Sequence, residues 1–426
     1  MKDAIKRIST PLNTSKDLDP LVDKIGDAKI VMLGEASHGT HEYYSWRTAI
    51  SKRLIQEKDF DFIAVEGDWP DMFKINSFIK SKSKDPEDVI GVLDQFKRWP
   101  TWMWANWEVA ALMDWLKNYN SSVTPGNKVG FYGLDVYSLW ESMDAVMDYL
   151  KKEDPDSMEL AKNAFKCFEP FNEDEGIAYA RATRFVPVTC EQEVIDLLVN
   201  IRNTFPTLAN DDESALSARQ NALVAVNAER YFRIMIRSGA ESWNVRDRHM
   251  EETLSALLDF HGPGSKAIVW EHNTHIGDAR ATNMAKRGMV NLGQLVRVKY
   301  NPENVVLVGF GSYEGSVIAG KEWGAPMQIM QVPEAQKGSW EYYLHQLENK
   351  NKLLIFNNEN EFKKPIEHRA IGVVYNPEQE KYGNYVPSII NQRYDAFIYI
   401  DYSQALHPLH VQADKKKIPE SFPFNF

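Results

Sequence analysis

The stretch Lys29-Ile30-Val31-Met32-Leu33-Gly34-Glu35-Ala36-Ser37-His38-Gly39-Thr40-His41-Glu42 decides how the rest of the chain is read. Lys29 to Leu33 is short, apolar and rich in strand formers, which predicts a buried strand. A glycine, a carboxylate and a histidine follow within five residues. In an open parallel sheet, ligands bind at the carboxyl ends of the strands. A Glu/His pair at such an end is placed for acid–base work or for holding a metal.

Three more strand ends are built the same way. Phe62-Ile63-Ala64-Val65 runs into Glu66-Gly67-Asp68-Trp69-Pro70, and Val129–Leu134 ends at Asp135. Ala267–Trp270 runs into Glu271-His272-Asn273-Thr274-His275. If these strands are parallel, Glu35, His38, Glu66, Asp135, His272 and His275 converge on one rim of the sheet. Taken singly, each has a plainer role. Glu35 suits the start of the next helix, where acidic residues are favoured; each histidine suits a structural hydrogen bond. The convergence of the set is what points to an active site.

Further candidate strands are Val305–Phe310, Gln328–Val332, Leu353–Phe356, Ile371–Val374 and Ala396–Ile400, and Tyr43–Glu57 reads as a helix between the first two strands. Strand, helix, strand in succession predicts an α/β fold with a mostly parallel sheet flanked by helices. From residue 139 to 258 the pattern changes to long helical stretches: Met143–Lys152, Ser157–Lys166, Glu191–Thr204 and Ser214–Ser238. This predicts a helical lobe at 139–258 inserted into an α/β core formed by 1–138 and 259–426.

A formal net charge of −11 argues against a nucleic-acid groove, which needs clustered Lys and Arg. No apolar run is long enough for a membrane helix, and the N-terminus lacks a signal-peptide pattern. The only cysteines, Cys167 and Cys190, form no C-x-x-C motif, and so sparse a pair suits a reducing compartment. The expected location is the cytoplasm.

A histidine beside two carboxylates takes a proton from water while one carboxylate orients its ring. Ester or lactone hydrolysis follows naturally. A serine nucleophile is weaker: no Gly-x-Ser-x-Gly elbow occurs, and Ser37 adjoins His38 in sequence, so their side chains diverge. Glu35, His38, Glu66 and the pair His272/His275 also offer enough ligands for zinc, although no H-E-x-x-H helix is present. Arg98-Trp99-Pro100-Thr101-Trp102-Met103-Trp104-Ala105-Asn106-Trp107 is dense in indole. Trp102 and Trp104 either line a cleft for an apolar substrate or pack as core. Arg246 and Arg248 are candidates to touch a substrate carbonyl or to hold a catalytic carboxylate, and Arg47 has the same capacity, since its fork suits carboxylates.

Gly34-Glu35-Ala36-Ser37-His38-Gly39, Arg47, Val65-Glu66-Gly67-Asp68, Trp102-Met103-Trp104, the run from Ser242 to Met250 and Glu271-His272-Asn273-Thr274-His275 together resemble the erythromycin esterase family. The matches keep the family order from about residue 20 to 410. The resemblance implies a deep cleft between core and lobe and metal-independent hydrolysis without a cofactor. It implies His38 as the base that activates water and Glu35 and Glu66 as its tuning carboxylates. Arg47, His272 and His275 complete the catalytic set, and Trp102, Trp104 and Arg246 are the expected substrate-binding residues. The expected partner is a small ester or lactone, with a macrolide one such substrate. The alternatives are a metal-dependent hydrolase using the same residues and a pocket that binds a small ligand or haem without chemistry.

Overall fold

The computed structural model describes residues 2–81, 88–171, 176–185, 189–204, 213–348, 350–357, 362–417, 419 and 422. Eleven strands are described: β1 (Ser9–Pro11), β2 (Ile30–Leu33), β3 (Phe62–Asp68), β4 (Gly130–Asp135), β5 (Ala267–Trp270), β6 (Val305–Ala319), β7 (Gln328–Val332), β8 (Lys352–Ile355), β9 (Ile366–Arg369), β10 (Tyr385–Ser388) and β11 (Ala396–Ser403). The main sheet runs in the order β1-β8-β11-β6-β2-β5-β3-β4, with β7 pairing the far end of β6. The six strands from β11 to β4 are parallel throughout, and β1, β8 and β7 add antiparallel edges.

The central strands are apolar on both faces because helices cover both. Along β2, Val31 and Leu33 enter one core while Ile30 and Met32 enter the other. β3 and β5 alternate in phase with it: Ile63, Val65, Ile268 and Trp270 on the first face, Phe62, Ala64, Ala267 and Val269 on the second. Pairing aligns Leu33, Val65 and Trp270 in one row. The residues that follow these three therefore lie side by side, at one rim.

Between β4 and β5 the described chain is helical, with helices Leu139–Glu153, Met158–Phe168, Ile177–Phe185, Glu191–Thr204, Glu213–Met235 and Gly239–His261. Leu139, Met143, Val146, Phe168, Leu197, Ile201, Phe232 and their neighbours form a third core of their own. The last of these helices also buries Met250, Leu254 and Leu257 against the second face of the sheet.

Two expectations are corrected here. Ile371–Val374 forms no strand; its residues make only isolated bridges, Ser37 to Ile371 and Gly320 to Val374. A short β-rich run binds as a strand only where an edge is free, and this one lies beside a loop. Cys167 and Cys190 are joined in a disulfide, because the packing of helix Met158–Phe168 near the start of helix Glu191–Thr204 brings their Cα atoms to 5.8 Å. Their sparseness therefore gives no support to a reducing compartment. Among the described residues no helix is long and apolar enough to cross a membrane.

Candidate active site

Gly34 follows β2 at a position that leaves no room for a side chain. A Cβ there would meet Asn273 Oδ1 at 2.1 Å. The Asn273 amide in turn clips the backbone of β6, donating to the Phe310 carbonyl at 2.6 Å and accepting from its N–H at 3.2 Å. Asn273 N–H also donates to the Glu35 carbonyl at 2.8 Å. The turns after β2 and β5 are thus locked to each other, which fixes Glu35 and His38 relative to His272 and His275.

His38 is fully buried, and its Nδ1 lies 2.9 Å from Glu35 Oε1. The other Glu35 oxygen accepts from Arg47 Nη2 at 2.6 Å. Arg47 sits on helix His41–Lys58, sandwiched against the Tyr44 and Trp270 rings at 4.4 and 4.7 Å. The carboxylate therefore holds the proton of His38 on Nδ1 and leaves Nε2 as a lone pair. Among the described residues His38 Nε2 has no hydrogen-bond partner. Burial opposes charging of the ring, but the nearby Glu66 charge and the Glu35 hydrogen bond outweigh it, so the His38 pKa lies above its ordinary 6.5.

His272 has the opposite character. Its ring stands 4.9 Å from that of His38. Its Nδ1 accepts from Thr274 N–H at 3.3 Å and lies 2.8 Å from Thr274 Oγ1. The proton is thereby placed on Nε2, which lies toward the Ala36 carbonyl without a well-formed hydrogen bond. Burial, with His38 adding to it, holds the His272 pKa well below 6.5, so the ring is a neutral N–H donor.

Glu66 sits within β3, where the pairing with β4 shifts register between Val65 and Asp68, and its carboxylate enters a cage of donors. Its Oε2 accepts from His272 N–H at 2.8 Å and its Oε1 from Arg246 Nη2 at 2.8 Å. Burial raises its pKa, but His275, His38 and Arg246 together bring it below the ordinary carboxylate range. Arg246 comes from helix Gly239–His261 and forks onto Asp135 at 2.9 and 2.6 Å. Its Nη1 lies 3.1 Å from His275 Nε2. His275 Nδ1 is 3.0 Å from Asp247 Oδ1, and its ring stacks on Trp243 at 4.4 Å.

All six expected catalytic residues, Glu35, His38, Arg47, Glu66, His272 and His275, thus meet at one rim, each no more than 1 % exposed. Of the expected binding residues, Trp104 borders a small recess together with Asp68, Met72, Phe96, Arg98 and Met103. Arg246 donates to Asp135, Glu66 and His275, which is the carboxylate-holding arrangement that the sequence offered as one of its two roles. Trp104 donates to the Glu66 carbonyl at 3.1 Å and packs with Tyr44 and Phe131, while Trp102 is buried in the same core. Both indoles back the rim because the core beneath β3 takes the large apolar surface first. Arg248 points to solvent, and Ser37 Oγ pairs with Thr40 Oγ1 at 2.6 Å, apart from any histidine.

In the ligand set weighed for a metal, both oxygens of Glu35 and Glu66 and both nitrogens of His275 are engaged by protein groups. Only His38 Nε2 and His272 Nε2 are uncommitted. Two residues were underweighted by sequence reasoning. Asp247 holds His275 and also caps Leu292 N–H at 2.8 Å. Glu271 is fully buried, and neither of its oxygens has a hydrogen-bond partner among the described residues. Burial, Glu66 and Asp247 push its pKa well up, which favours the neutral acid. Its place directly before His272 was the available signal.

The erythromycin esterase family model matches residues 55–403, which takes in Glu66, Arg246, His272 and His275. The chain belongs to the erythromycin esterase family. It is 22 % identical over 422 residues to a putative hydrolase of Bacillus subtilis, YbfO, covering 93 % of this chain and 90 % of that protein. It is 22 % identical over 374 residues to erythromycin esterase type II of Escherichia coli, covering 83 % and 86 %. Among solved structures, a Bacillus cereus protein superposes with a TM-score of 0.77 at 20 % identity, covering 95 % of this chain and 98 % of that one. A histidine-to-asparagine mutant of the erythromycin esterase EreC, in its open conformation, gives 0.68 at 16 % identity, covering 94 % and 97 %. The structural likeness establishes a shared fold. Family membership supports a hydrolase of the erythromycin esterase type.

Proposed function

We propose that the chain is a carboxylic ester hydrolase in which His38 activates water. The observation that carries this reading is the free Nε2 of His38, opposite an Nδ1 held at 2.9 Å by Glu35. His38 Nε2 removes a proton from water as the water oxygen attacks the ester carbonyl. The resulting oxyanion is stabilised by a donor in the low-dielectric rim, a role that the neutral His272 Nε2–H suits. Collapse breaks the C–O bond, and the departing alkoxide takes its proton from the His38 imidazolium. Glu35 orients the ring and stabilises its charged form, and Arg47 holds Glu35 in place. Glu66 adds negative charge near His38 and favours the same imidazolium.

Because His38 is fully buried, a substrate enters only when the elements over the rim part. A macrolide lactone, opened by one water, is the substrate this reading tests first. The experiment is mass spectrometry of erythromycin incubated with chelator-treated protein, beside His38→Asn. A gain of one water that the variant loses by at least about a hundredfold is the expected result. A variant that keeps more than that, with the fold intact, removes His38 as the base. Turnover restored only by metal add-back favours a metal-dependent hydrolase instead.

A further inference from the structure

Glu108 opens the helix Trp107–Ser122 and carries its carboxylate between two imidazoles. His41 Nδ1 and His407 Nδ1 each lie 2.6 Å from Glu108 Oε1. The two rings stand edge to face with centroids 5.2 Å apart. One donor atom from each of the three residues falls within 4.8 Å of the others, the one such trio of His, Cys, Asp or Glu among the described residues.

The trio is held by the backbone as well as by its own hydrogen bonds. His41 N–H donates to the Gln404 carbonyl at 2.8 Å, Leu406 N–H to the Gly39 carbonyl at 3.1 Å, and Trp107 N–H to the His407 carbonyl at 2.9 Å. Thr40 bridges Ala405, and Asn106 bridges Pro408. Three segments far apart in sequence are therefore stitched together with their ligating atoms facing one another. None of these donors belongs to the hydrolytic rim. The His407 side chain is 61 % exposed and that of His41 33 %, so water and ions reach the trio.

We propose that His41, Glu108 and His407 form a binding site for a divalent transition-metal ion of the zinc class. Two imidazole nitrogens and one carboxylate oxygen are a common protein ligand set for zinc, with a solvent position left open. Calcium and magnesium prefer oxygen cages and are poorly matched. Zinc bonds of about 2.0–2.2 Å set tetrahedral donors about 3.3 Å apart. Both histidine–glutamate separations need to open by less than about 1 Å from their present hydrogen-bonded state, a movement that these part-exposed side chains allow. Once bound, the ion replaces two hydrogen bonds by three coordinate bonds. It also ties the turn that follows His38 to the helix start and to the segment after β11.

The test uses the full chain, stripped with a chelator, dialysed, and titrated with zinc and separately with cobalt(II). The expected result is one equivalent bound, a visible cobalt spectrum of four-coordinate type, and a melting temperature that rises with zinc concentration. Glu108→Gln and His407→Ala are expected to weaken binding at least tenfold and to abolish the rise in melting temperature. His407 is exposed, so its variant is expected to fold. His38→Asn is expected to bind as the parent does. Absence of stoichiometric binding, or binding untouched by both variants, would overturn the proposal. Binding lost in His38→Asn would place the ion at the rim and overturn it equally.

Discussion

His38 Nδ1 and Glu35 Oε1 meet at 2.9 Å inside the protein, with no solvent to share the contact. A carboxylate in that position fixes the tautomer and raises the basicity of the far nitrogen. Glu35→Gln keeps the shape but removes the charge, and is expected to lower kcat by about 10² to 10³. The pH profile gives a second check. His38 works when neutral, and its pKa is raised above 6.5, so kcat/KM is expected to rise with pH through a value above 6.5. In Glu35→Gln that limb is expected to move to lower pH, since one raising influence is gone. An unmoved limb would show that the titrating group is not His38.

Arg246 and Asp135 form the second fixed relationship, a two-bond fork at 2.9 and 2.6 Å with neither side chain exposed. Removing one partner of a buried pair leaves an uncompensated charge, typically at about 3–5 kcal/mol. Arg246→Met leaves Asp135 and Glu66 in that state and is expected to lower stability by this order, read by denaturant unfolding. Arg246→Lys keeps charge but loses the fork. It is expected to fold with reduced kcat, because Glu66 loses its fixed donor.

The parallel sheet and the convergence of the rim were legible because each relevant strand is a compact apolar run that ends in an ionisable group. Glu35, Glu66, Asp135 and the pair His272/His275 all sit at such ends. For Arg246, Trp102 and Trp104 the sequence offered two roles each and no means of choosing between them. A side chain's direction depends on which helix packs over the sheet, and that is a property of tertiary contacts between positions more than a hundred residues apart, as with Arg246 and Asp135. The run Ile371–Val374 failed for a related reason: strand propensity says nothing of whether a free edge lies alongside. The disulfide was equally hidden, since 23 residues separate its cysteines and only the packing of two helices brings them together.

Gly34 gives a test of how tightly the rim is set. A methyl group there would meet Asn273 Oδ1 at 2.1 Å, and that amide is bonded to the Phe310 backbone. Gly34→Ala is expected to cost about 1–3 kcal/mol in stability, as overpacking usually does. It is also expected to lower kcat more than it raises KM, because Glu35 and His38 follow directly in the chain. A variant with unchanged stability and kcat would show that the turn yields freely.

Glu271 is the group whose ionisation the fold resists most plainly. Burial, the Glu66 charge and the Asp247 charge all raise its pKa well above 4.5. In the unfolded chain the same carboxyl ionises near its ordinary value. The sign follows from the proton count: above about pH 4.5 the folded state holds a proton that the unfolded state has released. Glu271 therefore contributes most to stability below its unfolded pKa, and that contribution is lost as pH rises through its folded pKa. Glu271→Gln is nearly isosteric with the neutral acid and does not ionise. The stability of this variant relative to the parent is expected to be lowest below about pH 4.5 and to increase as pH rises above it, toward the raised folded pKa. The slope is of order 1.4 kcal/mol per pH unit at most. Parallel thermal melts across that range measure it. A constant difference would mean that Glu271 ionises alike in both states, and that the rim holds one more negative charge than its geometry accommodates.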